Sequence, residues 1–287
     1  MAMAERSTIG QIIGFLSKLV LFLVLLAAGV GVWSVMHEPG GLRYTQTKIA
    51  SAQWPQHWQP IRVVVVSDLH VGSPYVDLDR LETVVARIND AEPDIVMLLG
   101  SFMPGDFFTN PVSPRDFAPV LGGIEAKYAV LALLGRRDMQ DGGKLLTAEL
   151  KKAKITVLSD SVVSIKLAQK KRLSVVGFSD EPSNYPRVMA GLPKGDPAFG
   201  MVHNPARFKA IPPKVDLVFA GFTHGGLVNI PEFPLPVMPS GVPGKYAYGL
   251  IEENQHQMFV TGGIGTDEYP IRLNNMPEIL VATIVAK

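Results

Sequence analysis

Short aliphatic runs that end, one after another, in polar clusters constrain this chain more than any other feature. Val63–Val66 leads into Ser67-Asp68-Leu69-His70, and Asp94–Leu99 leads into Gly100-Ser101-Phe102. Ala129–Leu134 precedes Gly135-Arg136-Arg137-Asp138, and Val215–Ala220 precedes Gly221-Phe222-Thr223-His224-Gly225-Gly226. Runs of this kind predict strands buried on both faces of a sheet. Chemistry-bearing residues that repeatedly follow strands predict a site built from loops at one sheet edge. Between the first two runs, Leu78, Leu81, Val84, Val85 and Ile88 recur at helical spacing and predict a helix over Leu78–Asp90. A second helix is expected over Leu145–Ala153, followed by a strand at Thr156–Leu158. Val162–Leu167 and Leu173–Phe178 flank a basic turn and read as a hairpin, while Met258–Gly262 and Ile279–Val285 read as strands. The pattern is that of an α/β fold with a strand-rich second half.

Composition removes several classes of function. A net charge of +1 gives no electrostatic case for nucleic-acid binding. The chain has 0 cysteines, which excludes disulfides, thiolate catalysis and cysteine-ligated zinc. Leu19–Met36 holds no charged residue, and Ile9–Phe15 extends the apolar character upstream past Lys18. At a rise of about 1.5 Å per residue this run spans roughly 27 Å, near the hydrocarbon thickness of a bilayer. It is longer than the apolar region of a secretory signal and ends in Trp33-Ser34-Val35-Met36-His37 without a small-residue cleavage pattern. The expected organisation is an N-terminal tail over 1–8, a transmembrane anchor over 9–36, a linker over 37–60 and a globular domain over 61–287. Glu38-Pro39-Gly40-Gly41, Trp54-Pro55 and Gln59-Pro60 supply the linker signals. Arg6 and Lys18 precede the uncharged run Leu19–Met36 while Arg43 and Lys48 follow it at a greater distance, so the positive-inside bias is slight.

The clusters, together with Val202-His203-Asn204-Pro205, resemble the calcineurin-like metallophosphoesterases, most closely the bacterial members with an N-terminal membrane segment. That family's pattern reads DxH, GD, GNHD, xH and GHTHGG in this order. Coverage runs from Ile61 to the C-terminus and includes Gly262-Gly263-Ile264-Gly265 and Pro270-Ile271-Arg272. The resemblance implies a four-layer sandwich of two mixed β-sheets flanked by helices, with the anchor's N-terminus inside and the domain outside. In a host with two membranes, the protein then sits in the inner (cytoplasmic) membrane as a single-pass chain facing the periplasm.

By resemblance, one cation is held by Asp68, His70, residue 101 and His224, and a second by residues 101, 136, 222 and His203. Asp68, His70, His203 and His224 are present. The bridging aspartate is replaced by Ser101, the asparagine ligand by Arg136, the proton-donating histidine by Arg137, and the first histidine of GHTH by Phe222. The first set retains two imidazoles and a carboxylate, enough for at most one divalent ion such as Mn, Zn or Fe. The second set is reduced to His203 and a hydroxyl. With an effective dielectric near 20, an inward Arg136 about 5 Å from a dication repels it by roughly 6 kcal/mol. The expectation is therefore a protein without a resident cofactor, with Arg136 or Arg137 paired to Asp68 or gripping an anion. Asp106 or Asp141 is the alternative source of a bridging carboxylate. Phe222 is expected to fill the space of an imidazole, and Phe233, Leu235, Val237 and Met238 in the proline-rich 231–243 stretch to cover core or present a contact surface. These substitutions argue for a pseudoenzyme, a binding or scaffolding subunit with membrane lipid and a membrane-protein partner. The alternative is a mononuclear phosphohydrolase acting on phosphoesters or lipid-linked phosphates.

Overall fold

The computed structural model describes residues 2–105, 108–140, 142–230, 241–253, 256–266 and 269–287. Strands β1 (Arg43–Ser51), β2 (Ile61–Val66), β3 (Ile95–Leu98), β4 (Ala129–Leu133) and β5 (Thr156–Leu158) form one sheet with the C-terminal strand β12 (Glu278–Ala286). Strands β6 (Ser161–Lys166), β7 (Arg172–Phe178), β8 (Ala198–Val202), β9 (Leu217–Ala220), β10 (Gly249–Glu253) and β11 (His256–Val260) form the other. The orders are β1-β12-β2-β3-β4-β5 and β10-β11-β9-β8-β7-β6. Both sheets are mixed: β2 through β5 run parallel, as do β7, β8, β9 and β11, and antiparallel pairs occur at β12/β2, β6/β7 and β10/β11.

The period-2 alternation of the strands explains the layering. Val63 and Val65 of β2 point between the sheets with Leu131, Val175, Phe199 and Phe219, whereas Val64 and Val66 point outward. Helix α1 (Ala2–Val32) lies at the N-terminus. The outward face of the first sheet is covered by α2 (Leu78–Asp90), α3 (Pro114–Leu121) and, beyond the short α4 (Arg136–Gln140), by α5 (Gly143–Lys152). Leu81, Val84, Val85 and Ile88 form the buried stripe of α2, each worth about 1.5–3 kcal/mol on removal from water. Asp77 caps that helix, its side chain accepting from the Arg80 N–H at 2.8 Å. The second sheet is covered by α6 (Tyr185–Ala190) and by Phe208 and Tyr246. This is the four-layer α/β sandwich expected from the sequence.

The 37–60 segment departs from a linker. Residues 43–51 are β1, paired in parallel with β12 from Arg43↔Glu278 to Ser51↔Ala286. Ile49 and Trp54 are core residues, and the Trp54 ring lies 5.9 Å from that of Phe199. Glu38 is buried and accepts from the backbone N–H groups of Asn274, at 2.9 Å, and Asn275. An edge strand with mostly polar outward residues carries little hydrophobic period, which is why it read as connector.

The described part of the apolar N-terminal helix is long and apolar enough to cross a membrane, and almost none of it is buried against the rest of the protein.

Candidate metal centre

Every motif follows the C-terminal end of a parallel strand. Asp68 and His70 lie beyond β2, Ser101 beyond β3, Gly135 and Arg136 beyond β4, His203 beyond β8 and Gly221–His224 beyond β9. The turns are tight. A side-chain carbon on Gly221 would stand 1.7 Å from Ser67 Oγ, so only glycine fits there. Asp68, His70, Phe222 and His224 have φ of 54, 45, 73 and 50°, the left-handed region that non-glycine residues rarely occupy. Such residues cost of order 1–3 kcal/mol each and collect where a site is built.

Asp68 is the centre. Its Oδ2 accepts from Ser67 Oγ at 2.7 Å and from the Phe222 N–H at 2.8 Å. Its Oδ1 faces three imidazoles, with Nε2 of His70, His203 and His224 at 3.8, 3.9 and 3.9 Å. Burial alone pushes the Asp68 pKa up; the neighbouring His224, His70 and His203 outweigh it and hold the carboxyl well below its ordinary range. Nδ1 of His70 meets Met103 O at 3.0 Å, Nδ1 of His203 meets Leu99 O at 2.9 Å, and Nδ1 of His224 meets Gly265 O at 3.2 Å. A carbonyl only accepts, so Nδ1 of His70 and of His203 carries a proton, and Nε2 of all three rings is the atom turned toward Asp68. This carbonyl-fixed tautomer is the usual support of a metal-ligating histidine.

The first ligand set fits a cation: ligand atoms of Asp68, His70 and His224 lie within 4.8 Å of one another, all buried. A carboxylate with two oriented imidazoles suits one divalent ion with open positions. Among the described residues the second set, His203 and Ser101, does not fit a second cation. Ser101 Oγ lies 3.3 Å from His203 Nε2, a neutral hydroxyl where a bridging carboxylate would be needed. Phe222 places its ring edge-on to His203, with centroids 5.4 Å apart.

The expected pairing of Arg136 with Asp68 is not made, because Arg136 is exposed to water. It lines a cleft of about 1220 Å³ that begins at Gly135 and Phe222 and also carries Lys144, Lys151 and Arg207 against Asp180 and Glu181. The strong repulsion expected from an inward Arg136 is accordingly relieved by solvent. Arg137 is half-buried on α4. Asp106, Asp141 and the Pro231–Pro239 segment lie outside the described residues.

The buried guanidinium of the site is Arg272, which is fully buried. Its Nη2 donates to Gly265 O at 2.6 Å and lies 3.4 Å from His224 Nδ1. Its Nη1 donates to Gly262 O at 2.9 Å and to Asn275 O at 3.2 Å. Burial lowers its pKa to about 10, against the raising pull of Asp68, Glu278 and Glu38. Asp138 is the other residue whose role the sequence did not reveal. It accepts from Phe102 N and Met103 N at 2.8 and 2.9 Å and from Gly135 N at 2.9 Å, tying the loop after β3 to the loop after β4. Burial pushes its pKa up while those N–H groups pull it down.

Fold and site define a class: a two-sheet α/β protein with a carboxylate–imidazole centre at the carboxyl edge of its strands. No protein-family model matches the chain. The chain is 27% identical over 256 residues to the uncharacterized metallophosphoesterase YkuE of Bacillus subtilis (strain 168), covering 86% of this chain and 87% of that one. It is 26% identical to the phosphodiesterase YaeI of Escherichia coli (strain K12), covering 86% of this chain and 90% of YaeI. A transmembrane protein with metallophosphoesterase domain from Danio rerio is 24% identical over 89% of this chain, which spans 60% of that longer protein. Motif order, fold and relatives agree: the chain resembles the calcineurin-like metallophosphoesterases in sequence and in fold.

Proposed function

We propose that this protein is a membrane-anchored member of the family that serves as a binding or scaffolding subunit and does not carry out two-cation phosphoester hydrolysis. The observation that supports it best is the Ser101–His203 contact at 3.3 Å, which fills with a hydroxyl the place of a bridging carboxylate. Two-cation hydrolysis clamps attacking and leaving oxygens between paired ions, and among the described residues the second ion has no adequate ligand set. The cleft beside Phe222 keeps Arg136, Lys144, Lys151 and Arg207, a set suited to an anionic ligand. The N-terminal helix anchors the chain in the cytoplasmic membrane with the domain on the periplasmic side. An anchor is supported by the uncharged run and by the transmembrane Danio rerio relative, and the orientation by the slight excess of basic residues, Arg6 and Lys18, before that run.

A second reading has its own support. Asp68, His70 and His224 converge as a set for one divalent ion, which when bound would polarise a phosphoryl oxygen. Arg136 then holds a phosphate at the cleft wall. Metal analysis and a phosphodiester assay on the detergent-purified full chain separate the readings. The scaffolding reading expects at most one ion per chain and no metal-dependent turnover. Two ions per chain, or turnover that disappears in Asp68→Asn, would overturn it.

A further inference from the structure

The end of the apolar helix is not a free tether. Ser34 is buried, and its carbonyl accepts from the Arg272 N–H at 2.9 Å. The Val35 carbonyl accepts from Tyr75 Oη. Glu38 binds the Asn274 and Asn275 N–H groups. Ser34 and Val35 still belong to the uncharged run Leu19–Met36. A helix that crosses a bilayer with this run therefore reaches the polar interface at the residues that grip the domain. Nothing between them allows the domain to stand away from the lipid.

The segments that grip the helix end also carry exposed apolar side chains. Phe108 is 75% exposed, and Asn110 beside it donates to Gly72 O at 2.7 Å, in the same loop as Tyr75. Ile230 is 45% exposed, and Asn229 donates to Leu273 O at 2.9 Å, next to Arg272. Tyr269 is 58% exposed, three residues before Arg272. Trp33 and Met36, on the last helical turns, are 51% and 72% exposed. Tyr269 thus lies three residues from a backbone contact to the helix end, whereas Phe108 and Ile230 lie on segments hydrogen-bonded to the loops of Tyr75 and Arg272 that make such contacts. Aromatic and aliphatic side chains at such a depth suit the headgroup–acyl boundary.

We infer that the face of the domain around the helix exit is a bilayer-contact surface, with Trp33, Phe108, Ile230 and Tyr269 seated in the lipid interface. The occupant is the bilayer that the helix itself crosses, because the helix ends inside this face. The inference rests on the anchor reading of the helix. It goes beyond a tether by fixing the domain's orientation on the membrane.

The absence of cysteine makes the test direct. Phe108→Cys, Ile230→Cys and Tyr269→Cys of the full chain are labelled with an environment-sensitive fluorophore and reconstituted into phosphatidylglycerol/phosphatidylethanolamine vesicles. Glu125→Cys, exposed at the opposite edge of the first sheet, is the solvent reference, and Leu23→Cys, within the helix, is the membrane reference. The expected result is blue-shifted emission at 108, 230 and 269, with several-fold stronger quenching by headgroup-nitroxide lipid than at 125. Emission and quenching at 108, 230 and 269 equal to those at 125, with 23 quenched by acyl-nitroxide lipid, would overturn the contact surface while leaving the anchor intact. An unquenched label at 23 would overturn both. Shielding of 108, 230 and 269 in native membranes, but not in protein-free vesicles, would assign the face to a protein partner and also overturn it.

Discussion

Ser101 lies 3.3 Å from His203 where the family resemblance puts a carboxylate shared by two cations, and the proposed loss of the second cation rests on this contact. The four altered positions act on one unit, so single reversions of Ser101, Arg136, Arg137 or Phe222 should change little. Together, Ser101→Asp, Arg136→Asn, Arg137→His and Phe222→His should raise bound manganese or zinc toward two ions per chain and produce phosphodiesterase activity. A folded quadruple variant that binds no more metal than the wild type would show that the surrounding loops have also diverged. The carboxylate and imidazoles were legible in the sequence because each follows a strand in a short motif. Arg272 was visible only as a motif residue. Its role depends on carbonyls at 262, 265 and 275 that the turns bring together. Arg272→Met removes the buried cation among Asp68, Glu278 and Glu38 and should cost about 3–5 kcal/mol, as breaking a buried charge set does. Urea unfolding of the metal-free protein would measure this, and a loss below about 1 kcal/mol, the worth of a surface pair, would contradict it.

Elements with a strong period were readable, and those without one were not. The α2 stripe at 81, 84, 85 and 88 marks a helix bounded by Leu78 and Asp90 in both sequence and structure. Helix α3 was hidden because Pro114 and Pro119 break its helical signal, yet Phe117 and Leu121 still anchor it in the core. Strand β8 was hidden because it is short and carries Gly200 at its centre. Strand β11 makes its own prediction. His256 begins it, 3% exposed, with its ring 4.2 Å from that of Phe208. Burial lowers its pKa below the ordinary 6.5. The unfolded chain then binds a proton more readily than the folded one, so stability is full above about pH 6.5 and falls as the pH drops toward the folded value. The Tm should decrease between pH 7.5 and 5.5, and His256→Phe, which keeps the stacking and removes the titration, should reduce that decrease. Parallel Tm-versus-pH curves for the two proteins would refute the assignment.

At the scale of the molecule, the domain does not begin where the apolar strand pattern begins. Cutting at Ile61 would remove β1, with nine register pairs to β12, and would strip Arg43 and Thr45 from the buried Glu278. It would also remove Ile49 and Trp54 from the core between the sheets, the hydrogen bond of Ser51 to Asp216, and Glu38 from the Asn274–Asn275 turn. Loss of a buried aliphatic and a buried tryptophan each forfeits a few kcal/mol. Domains hold only about 5–15 kcal/mol in total. A chain of residues 61–287 should therefore lose fixed tertiary structure, seen as collapse of the near-ultraviolet circular dichroism and absence of a cooperative melt. A chain of residues 38–287 keeps β1, Trp54 and Glu38, losing only the Ser34 and Val35 contacts. It should melt cooperatively, within a few degrees of the detergent-solubilised full chain. If 61–287 melted as sharply and as high as 38–287, β1 would be an ornament on the sheet. In that case the helix would connect to the domain through slack chain, and the close approach of domain to bilayer would lose its structural basis.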